Sequence, residues 1–498
     1  SHNMPAEDLV ELCDEMGMMM MAETFDEWDV AKCQNGYHRF FEDWAEKDVV
    51  NMVRHFRNSP SIIMWSIGNE VPTQRSAEGY RTAAWLQSLC HREDPTRAVT
   101  CGMDQFDAVV NNGFAAQLDV PGFNYKPRRF VEAYEKLPQN IILGSETAST
   151  VSSRGVYHLP SEKGVHGIDA LLGAYMRHPD HQSSSYDTDY CPWSNIPDTD
   201  FAADEDYPWM PGQFVWTGFD YLGEPTPYDT DSWPNHSSVF GIIDLASIPK
   251  DRFWLYRSQW RKDSPTLHLV PHWTWPGHEG ENIPVVAYSS FDKAELFVNG
   301  VSQGIAVKAA PSGVSADPTH PTPIAPDTEL MRRFRLIWPD VIYQSGELKV
   351  VAYDSDGKPA AEQVVRTAGK PYALKLTPYT GPESVDGSTF PASDAPQTAV
   401  LKADGEQLCY LNVSVVDREG NTVPADSRLV KVNVSGAGSF EAIANGDPTC
   451  LEPFHLPQMH LFSGQLTVIV RSGQLSGEMN VSVTAKGLRK ATVTLLCE

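Results

Sequence analysis

The stretch Ile62-Ile63-Met64-Trp65-Ser66-Ile67-Gly68-Asn69-Glu70 is almost continuously apolar until it ends in an amide and a carboxylate. An apolar run of this length is typical of a strand that is buried on both faces, as in a parallel sheet. Because an uncompensated carboxylate is costly to bury, Glu70 should face a cleft. The stretch therefore predicts a central parallel strand with polar groups at its carboxyl end.

Five further candidate strands lie around it, at 18–22, 98–101, 120–124, 141–144 and 213–219. Helical or loop-rich segments separate most of them, and this alternation indicates parallel pairing. Polar residues stand at their carboxyl ends: Glu23, Asn124 with Tyr125, Glu146 and Asp220. In a (β/α)₈ barrel that end of the strands holds the catalytic groups. The first 220 residues or so thus predict an α/β domain of the TIM-barrel type.

After about residue 264 the pattern changes to short alternating strands with hairpin signals, such as Asn299-Gly300 and Asp356-Gly357. We predict an α/β barrel domain over residues 1–263. Two all-β sandwich domains should follow it, over 264–376 and 377–498.

Composition limits the class of partner. The chain has 498 residues and a formal net charge of −26, which argues against nucleic acid because such binders need a basic surface. No run approaches the roughly 18 apolar residues of a membrane span. The eight cysteines include no C-x-x-C pair, so neither a zinc ribbon nor a disulfide framework is indicated. A neutral sugar is compatible with all of this.

Glu70 and Glu146 each end a candidate strand of the same barrel rim. Glycoside hydrolysis with retention needs two carboxyl groups roughly 5–5.5 Å apart, one to protonate the leaving oxygen and one to attack the anomeric carbon. Acidic residues are also common at strand ends as exposed or ion-paired groups. The residues by themselves leave both interpretations open.

Specific motifs favour the first interpretation. The sequence Trp65-Ser66-Ile67-Gly68-Asn69-Glu70 resembles the acid/base signature of glycoside hydrolase family 2, and Gly144-Ser145-Glu146 resembles its nucleophile strand. The stretch 214–221 is similar to the family's eighth barrel strand, and 223–228 to β-galactosidase-like members of the Bacteroides type. The resemblance covers nearly the whole chain, and it implies that both tail domains are immunoglobulin-like.

The resemblance also implies where in the fold the chain begins. The segment Ser1-His2-Asn3 is similar to the one that follows the second barrel strand in the family. We therefore expect barrel strands three to eight in residues 1–263. The family's N-terminal domains and first two strands would then be missing.

Site residues follow from the same comparison. It implies that Glu70 is the acid/base, that Glu146 is the nucleophile and that Asn69 hydrogen-bonds the 2-hydroxyl of the sugar. The remaining roles are orientation of Glu146 by Tyr125, binding of a sugar hydroxyl by His2, and a stacking wall provided by Trp216. The alternatives are a capping role for His2 and a place in the barrel core for Trp216. Asp26 and Glu27 are expected to line the sugar site, with a solvated turn as the alternative.

Some positions depart from the family pattern. Ser149 stands where the best-known β-galactosidases have a sugar-contacting His, and Phe240 stands where they have an Asn. The segment 24–28 lacks the His that binds magnesium in those enzymes. We therefore expect no catalytic metal and no cofactor, and galactose specificity is inferred only from the overall resemblance.

The predicted function is a retaining exo-glycoside hydrolase acting on terminal β-linked sugars, above all β-D-galactosides. Two alternatives stay open: the same mechanism on a glucuronide, mannoside or arabinoside, and a non-catalytic carbohydrate-binding or scaffold protein. The expected partner is a glycoside or oligosaccharide, and neither nucleic acid nor a membrane span is expected. A homo-oligomeric state is left open. The compartment is left open, with a periplasmic or extracellular bacterial location favoured over a cytoplasmic one.

Overall fold

The computed structural model describes residues 2–159, 177–229, 231–311, 328–379 and 400–498. The chain divides into two compact units. The first contains residues up to 148 together with 193–216, and the second contains the described parts of 149–192, 217–312 and 323–498. The domain boundaries after residues 263 and 376 stay predictions.

A six-stranded sheet forms the centre of the first unit, with its strands side by side in sequence order and all neighbours parallel. The strands are β1 (Met20–Glu23), β2 (Ile62–Asn69), β3 (Ala98–Met103), β4 (Gly122–Asn124), β5 (Leu143–Ala148) and β6 (Gln213–Trp216). The helices of this unit are α1 (Glu7–Met16), α2 (Phe41–Phe56), α3 (Gly79–Glu93), α4 (Phe106–Asn111), α5 (Phe130–Lys136) and α6 (Pro197–Asp206). The six predicted parallel strands are therefore present.

Hydrophobic burial explains this arrangement. Helix α2 buries Phe41, Ala45, Val49, Met52, Val53 and Phe56, the positions whose helical spacing the sequence shows. They join one core with the fully buried Trp28 and Trp65. This shared core holds the helix against the sheet and so fixes the positions of the strand ends.

The second unit is mainly antiparallel, as the hairpin signals predict. Its helices are α7 (Asp251–Trp260) and α8 (Thr328–Phe334), and its strands up to residue 378 are β7 (Leu267–Val270), β8 (Val285–Ser289), β9 (Lys293–Val298), β10 (Val301–Val307), β11 (Arg335–Trp338), β12 (Glu347–Tyr353), β13 (Pro359–Arg366) and β14 (Ala373–Pro378). Strands β7 to β13 form two sheets, ordered β10-β9-β12-β13 and β11-β8-β7.

The last hundred residues or so contain the remaining strands, β15 (Val400–Leu401), β16 (Leu408–Val416), β17 (Leu429–Gly436), β18 (Gly438–Ala444), β19 (Gln458–His460), β20 (Gln465–Ser472), β21 (Gly477–Ala485) and β22 (Ala491–Cys497). Two sheets result, β14-β16-β20-β18 and β15-β22-β21-β17-β19, and inward residues such as Leu411, Val468 and Val481 share one core. Over the residues described, no helix has the length and apolarity needed to cross a bilayer.

Candidate active site

Three strands of the parallel sheet end at or next to a residue with a left-handed backbone conformation. Glu70 directly follows β2 with φ 47°, Tyr125 follows β4 with φ 55°, and Ala148 ends β5 with φ 63°. The left-handed region costs a residue with a side chain about 1–2 kcal/mol. Such strain is often found at functional sites, where surrounding contacts hold it. All three lie at the edge where catalysis was predicted.

Asn124 connects the first of these positions to its neighbours. Its amide Nδ2 donates to Asn69 Oδ1 at 2.8 Å and to Glu70 Oε1 at 3.0 Å, while its Oδ1 accepts from Ser145 Oγ at 2.7 Å. The side chain of Asn124 is fully buried. It therefore fixes the residue pair Asn69 and Glu70 relative to the strand that contains Glu146.

Gly102, on the strand between β2 and β4, makes this bridge possible. A Cβ atom at this position would lie 2.6 Å from Asn69 Oδ1 and 3.1 Å from Asn124 Oδ1. Real side chains do not tolerate the shorter distance. A residue larger than glycine would therefore push the two amides apart.

Glu146 lies on β5 and receives a hydrogen bond at 2.6 Å from the Tyr125 hydroxyl to its Oε2. The backbone N–H of Tyr125 also donates to the Glu146 carbonyl at 2.9 Å. The Nε2 atom of His2 lies 3.8 Å from Glu146 Oε1. Tyr125 thus contacts Glu146 as predicted for an orienting residue, although its role stays a prediction.

His2 lies at the centre of the predicted residues. Its Nδ1 is 3.0 Å from Glu23 Oε1, its Nε2 is 3.5 Å from Asn69 Nδ2, and its ring stacks on Trp216 with centroids 5.0 Å apart. Ser66 Oγ donates to the other oxygen of Glu23 at 2.5 Å. His2 therefore covers one face of the Trp216 ring, and the stacking of a sugar on Trp216 stays a prediction.

Asp26 lies farther out on the loop after β1. Its carboxylate pairs with Lys32 Nζ at 2.7 Å, and the same ammonium donates to the Asn69 carbonyl at 3.0 Å. The Asp26 side chain is 44% exposed. The structure thus places Asp26 beside the site, linked to Asn69 through Lys32.

The two carboxyl groups influence each other. Burial raises the pKa of Glu146 to about 8, and the charge of Glu70 adds to this effect, against the opposing effects of His2 and the Tyr125 hydroxyl. Burial also raises the pKa of Glu70, with help from Asp104 and against Asn124, Lys32 and Lys126. Because interacting acids titrate as a pair, the value of about 8 belongs to the two carboxyls together.

The proton on His2 is held by its neighbours. Burial disfavours the charged ring, but the hydrogen bond and charge of Glu23, together with the charges of Glu146 and Asp26, outweigh it and raise the pKa of His2. A cationic His2 beside Glu146 favours a negative charge on that carboxylate.

One group of side chains in the described part of the chain could share a metal ion: His158, His178 and Asp189, all in the second unit. None of the three is a predicted site residue. The expected absence of a catalytic metal and of a cofactor stays a prediction.

Sequence reasoning missed three residues that hold this site. Asn124 and Glu23 were noted as polar strand-end residues but received no role, although strand-end position was a usable signal. No pattern in the sequence indicated Lys32, since it lies in a polar loop. That loop is fixed by the buried Glu27 carboxylate, which accepts from the backbone N–H groups of Lys32 and His38 at 2.6 and 2.7 Å.

Three segments of the chain match known domain families. Residues 1–185 match the TIM barrel domain of glycosyl hydrolases family 2, and residues 395–494 match C-terminal domain 5 of glycoside hydrolase family 2. Residues 280–361 match a domain of unknown function. The predicted order of a TIM-barrel domain followed by β domains is confirmed.

Relatives are similar over the whole chain. The β-galactosidase BoGH2A of Bacteroides ovatus is 33% identical over all of this chain and 57% of its own length. A putative β-glucuronidase of Formosa agariphila is 28% identical over 90% of this chain and 40% of its own length. A β-glycosidase from Bacteroides vulgatus of known structure is 29% identical with a TM-score of 0.79, covering 100% of this chain and 59% of that one. The chain thus spans little more than half the length of these proteins, or less.

Proposed function

Because the chain belongs to glycoside hydrolase family 2, we propose that the protein is a retaining β-glycoside hydrolase with Glu70 as general acid/base and Glu146 as nucleophile. The observation that supports this most is the coupling of the two carboxyls. Glu70 follows β2 and Glu146 lies on β5, the Asn124 amide links Glu70 to Ser145 directly before Glu146, and the charge of Glu70 raises the pKa of Glu146. Their separation should be roughly 5–5.5 Å, as retention requires.

The proposed reaction has two displacements. In the first, a Glu146 oxygen bonds to the anomeric carbon as the glycosidic bond breaks, and Glu70 gives its proton to the departing oxygen. In the second, the Glu70 carboxylate takes a proton from water, the water oxygen bonds to the anomeric carbon, and Glu146 is released.

This reaction needs a proton on Glu70 and a negative charge on Glu146, although burial favours the neutral form of both. The hydroxyl of Tyr125 and the ring of His2 both favour the charged form of Glu146. Glu70 accepts from the Asn124 amide, and the charges of Lys32 and Lys126 also favour its charged form, against burial and the charge of Asp104. Burial thus opposes the charge that Glu146 needs as nucleophile, and the Tyr125 hydroxyl and His2 act against that effect of burial.

For the substrate we propose a terminal β-D-galactoside. Its support is the relative named a β-galactosidase, which is 33% identical across the chain. Asn69 would hold the 2-hydroxyl, His2 another hydroxyl, and Trp216 would contact the sugar. Asp26 would line the outer part of the site together with Lys32.

A β-glucuronide is a second candidate because of Lys126. This half-buried lysine follows Tyr125 directly, and its ammonium interacts with the charges of Asp104 and Glu70. Among the residues described, no carboxylate lies within 4.0 Å of it, so a sugar carboxylate could become its partner. Relatives named β-glucuronidases add support.

A panel of 4-nitrophenyl glycosides tests the substrate and the scaffold alternative together. With the full-length protein, we expect kcat/KM for the β-D-galactoside to exceed that for the β-D-glucuronide, β-D-mannoside and α-L-arabinoside by about tenfold or more, the range that hydroxyl recognition supplies. A higher kcat/KM for the glucuronide would favour the second candidate substrate. No hydrolysis of any member would favour a binding or scaffold protein.

Replacing Tyr125 by Phe should lower kcat about 10- to 100-fold, because a hydrogen bond to a charged group contributes about 1.5–3 kcal/mol. The hydroxyl lowers the pKa of Glu146, so its loss should raise the upper pKa of the pair above about 8. The basic limb of the kcat/KM profile should then move to higher pH.

The control is Tyr80→Phe, which removes a hydroxyl from the half-buried end of a helix outside the site. Its profile should match the wild type. An unchanged kcat and pH profile in Tyr125→Phe would contradict the orienting role of Tyr125.

A further inference from the structure

Strand β5 is irregular where it presents Glu146. Its ladder with β4 shifts register at Asn124, opposite Glu146, and its ladder with β6 shifts between Gly144 and Thr147. Shifts of this kind occur next to active sites, where they redirect a side chain at the cost of regular pairing. The backbone around Glu146 therefore needs other contacts to hold it.

Helix α6 supplies one of these contacts. The Asp200 carboxyl accepts from the backbone N–H of Ala148 at 3.1 Å and from Asn195 Nδ2 at 3.3 Å. The Asn195 N–H in turn donates to the Ala148 carbonyl at 2.8 Å. Both polar backbone groups of Ala148, two positions after Glu146, are thus held in its left-handed conformation.

A second contact starts one turn later on the same helix. Asp204 accepts from Gln213 Nε2 at 2.5 Å, and Gln213 Oε1 accepts from Thr147 Oγ1 at 2.6 Å. Thr147 is the residue directly after Glu146 and is 1% exposed. The chain of bonds runs across the shifted part of the ladder between β5 and β6.

Burying the carboxyl groups of Asp200 and Asp204 costs free energy. Residues Pro197–Ala203 of α6 are all buried, and Asp200 has no measurable exposure. Burial and the nearby charge of Asp204 raise the pKa of Asp200 well above its usual range, and burial raises the pKa of Asp204 to about 6. Apolar residues would serve helix packing better, so what the two carboxyls supply is their hydrogen bonds to Ala148 and Gln213.

We propose that Asp200 and Asp204 are positioning residues which hold Thr147 and Ala148 and thereby aim the carboxylate of Glu146 at the anomeric carbon. This inference rests on the proposed function, in which Glu146 is the nucleophile. Neither acid needs to touch the substrate. A displacement of about 1 Å in a reacting group can cost roughly 100-fold in rate, so a small relaxation of β5 is enough to matter.

The test uses the full-length protein and Asp204→Ala, because the fully buried Asp200 is the riskier site for folding. The rate of the glycosylation step is measured by single-turnover kinetics with an activated dinitrophenyl β-galactoside. We expect this rate to fall about 10- to 100-fold with KM nearly unchanged. Asp204→Asn should retain most of the rate, because its amide oxygen can still accept from Gln213.

Two controls separate positioning from general stability. Glu205→Gln alters the exposed neighbour on the same helix and should react at the wild-type rate. Thermal unfolding of Asp204→Ala and Asp204→Asn should be similar, so that a rate difference between them reports geometry. Added azide should not restore Asp204→Ala, because its acid/base residue is intact.

The outcomes are distinct. If the wild type forms a fluorosugar adduct on Glu146 and Asp204→Ala forms it at the same rate, the positioning role is refuted while the proposed function stands. If the wild type forms no adduct on Glu146, the proposed function fails and this inference fails with it.

Discussion

Glu146→Gln should reduce kcat on the order of 10⁴-fold or more for every β-glycoside, whatever its leaving group, as removal of a covalent nucleophile does in other enzymes. Glutamine keeps the size of the side chain and can still accept from the Tyr125 hydroxyl, so the local structure should persist. Its amide cannot form the glycosyl ester. Incubation with a 2-fluoro glycoside followed by mass spectrometry should label the wild type at Glu146 and leave the variant unlabelled.

Glu135→Gln is a matched control, since this glutamate is exposed on α5 and away from the site. It should be labelled as fast as the wild type. Label on a residue other than Glu146 in the wild type would assign the nucleophile elsewhere. Full activity of Glu146→Gln would contradict the double displacement.

The sequence predicted the strands of the first unit well because each is a compact apolar run that ends in polar residues. The run at 61–68 became Ile62–Asn69, and the one at 98–101 became Ala98–Met103. The carboxyl ends of parallel strands meet at one edge of a sheet. Glu70, Tyr125 and Glu146 could therefore be assigned to the same edge from the sequence alone.

Contacts between distant segments were not predictable in the same way. Helix α6 has the acidic sequence of a solvated helix, yet Asp198 and Asp200 are buried. Its bonds to Ala148 and Gln213 depend on tertiary packing that no local pattern records. The stacking of His2 on Trp216 joins residues more than 200 positions apart. The requirement for glycine at 102 becomes visible only once the amides of Asn69 and Asn124 are placed around it.

Glu70→Ala should affect substrates unequally. Where the leaving group is a sugar or alkoxide, it needs the proton that Glu70 supplies, and kcat/KM should fall on the order of 10²- to 10⁴-fold. A dinitrophenolate leaves without a proton, so the first displacement should stay near the wild-type rate. The second displacement should become rate-limiting for such substrates, because no base then activates the water.

Azide distinguishes this loss from a structural one. A small anion needs no general base and fits the space that the Glu70 side chain leaves, so millimolar azide should raise kcat of Glu70→Ala with the dinitrophenyl substrate. The product should be a β-glycosyl azide, since Glu146 still forms the intermediate and two displacements retain configuration. Glu78→Ala, which removes an exposed glutamate paired with Arg81, should show neither effect. Two results would contradict the acid/base role of Glu70: an equal loss of activity on all substrates without azide rescue, or an α-glycosyl azide as product. Either result would mean that Glu70 acts on something other than the leaving oxygen and the incoming water.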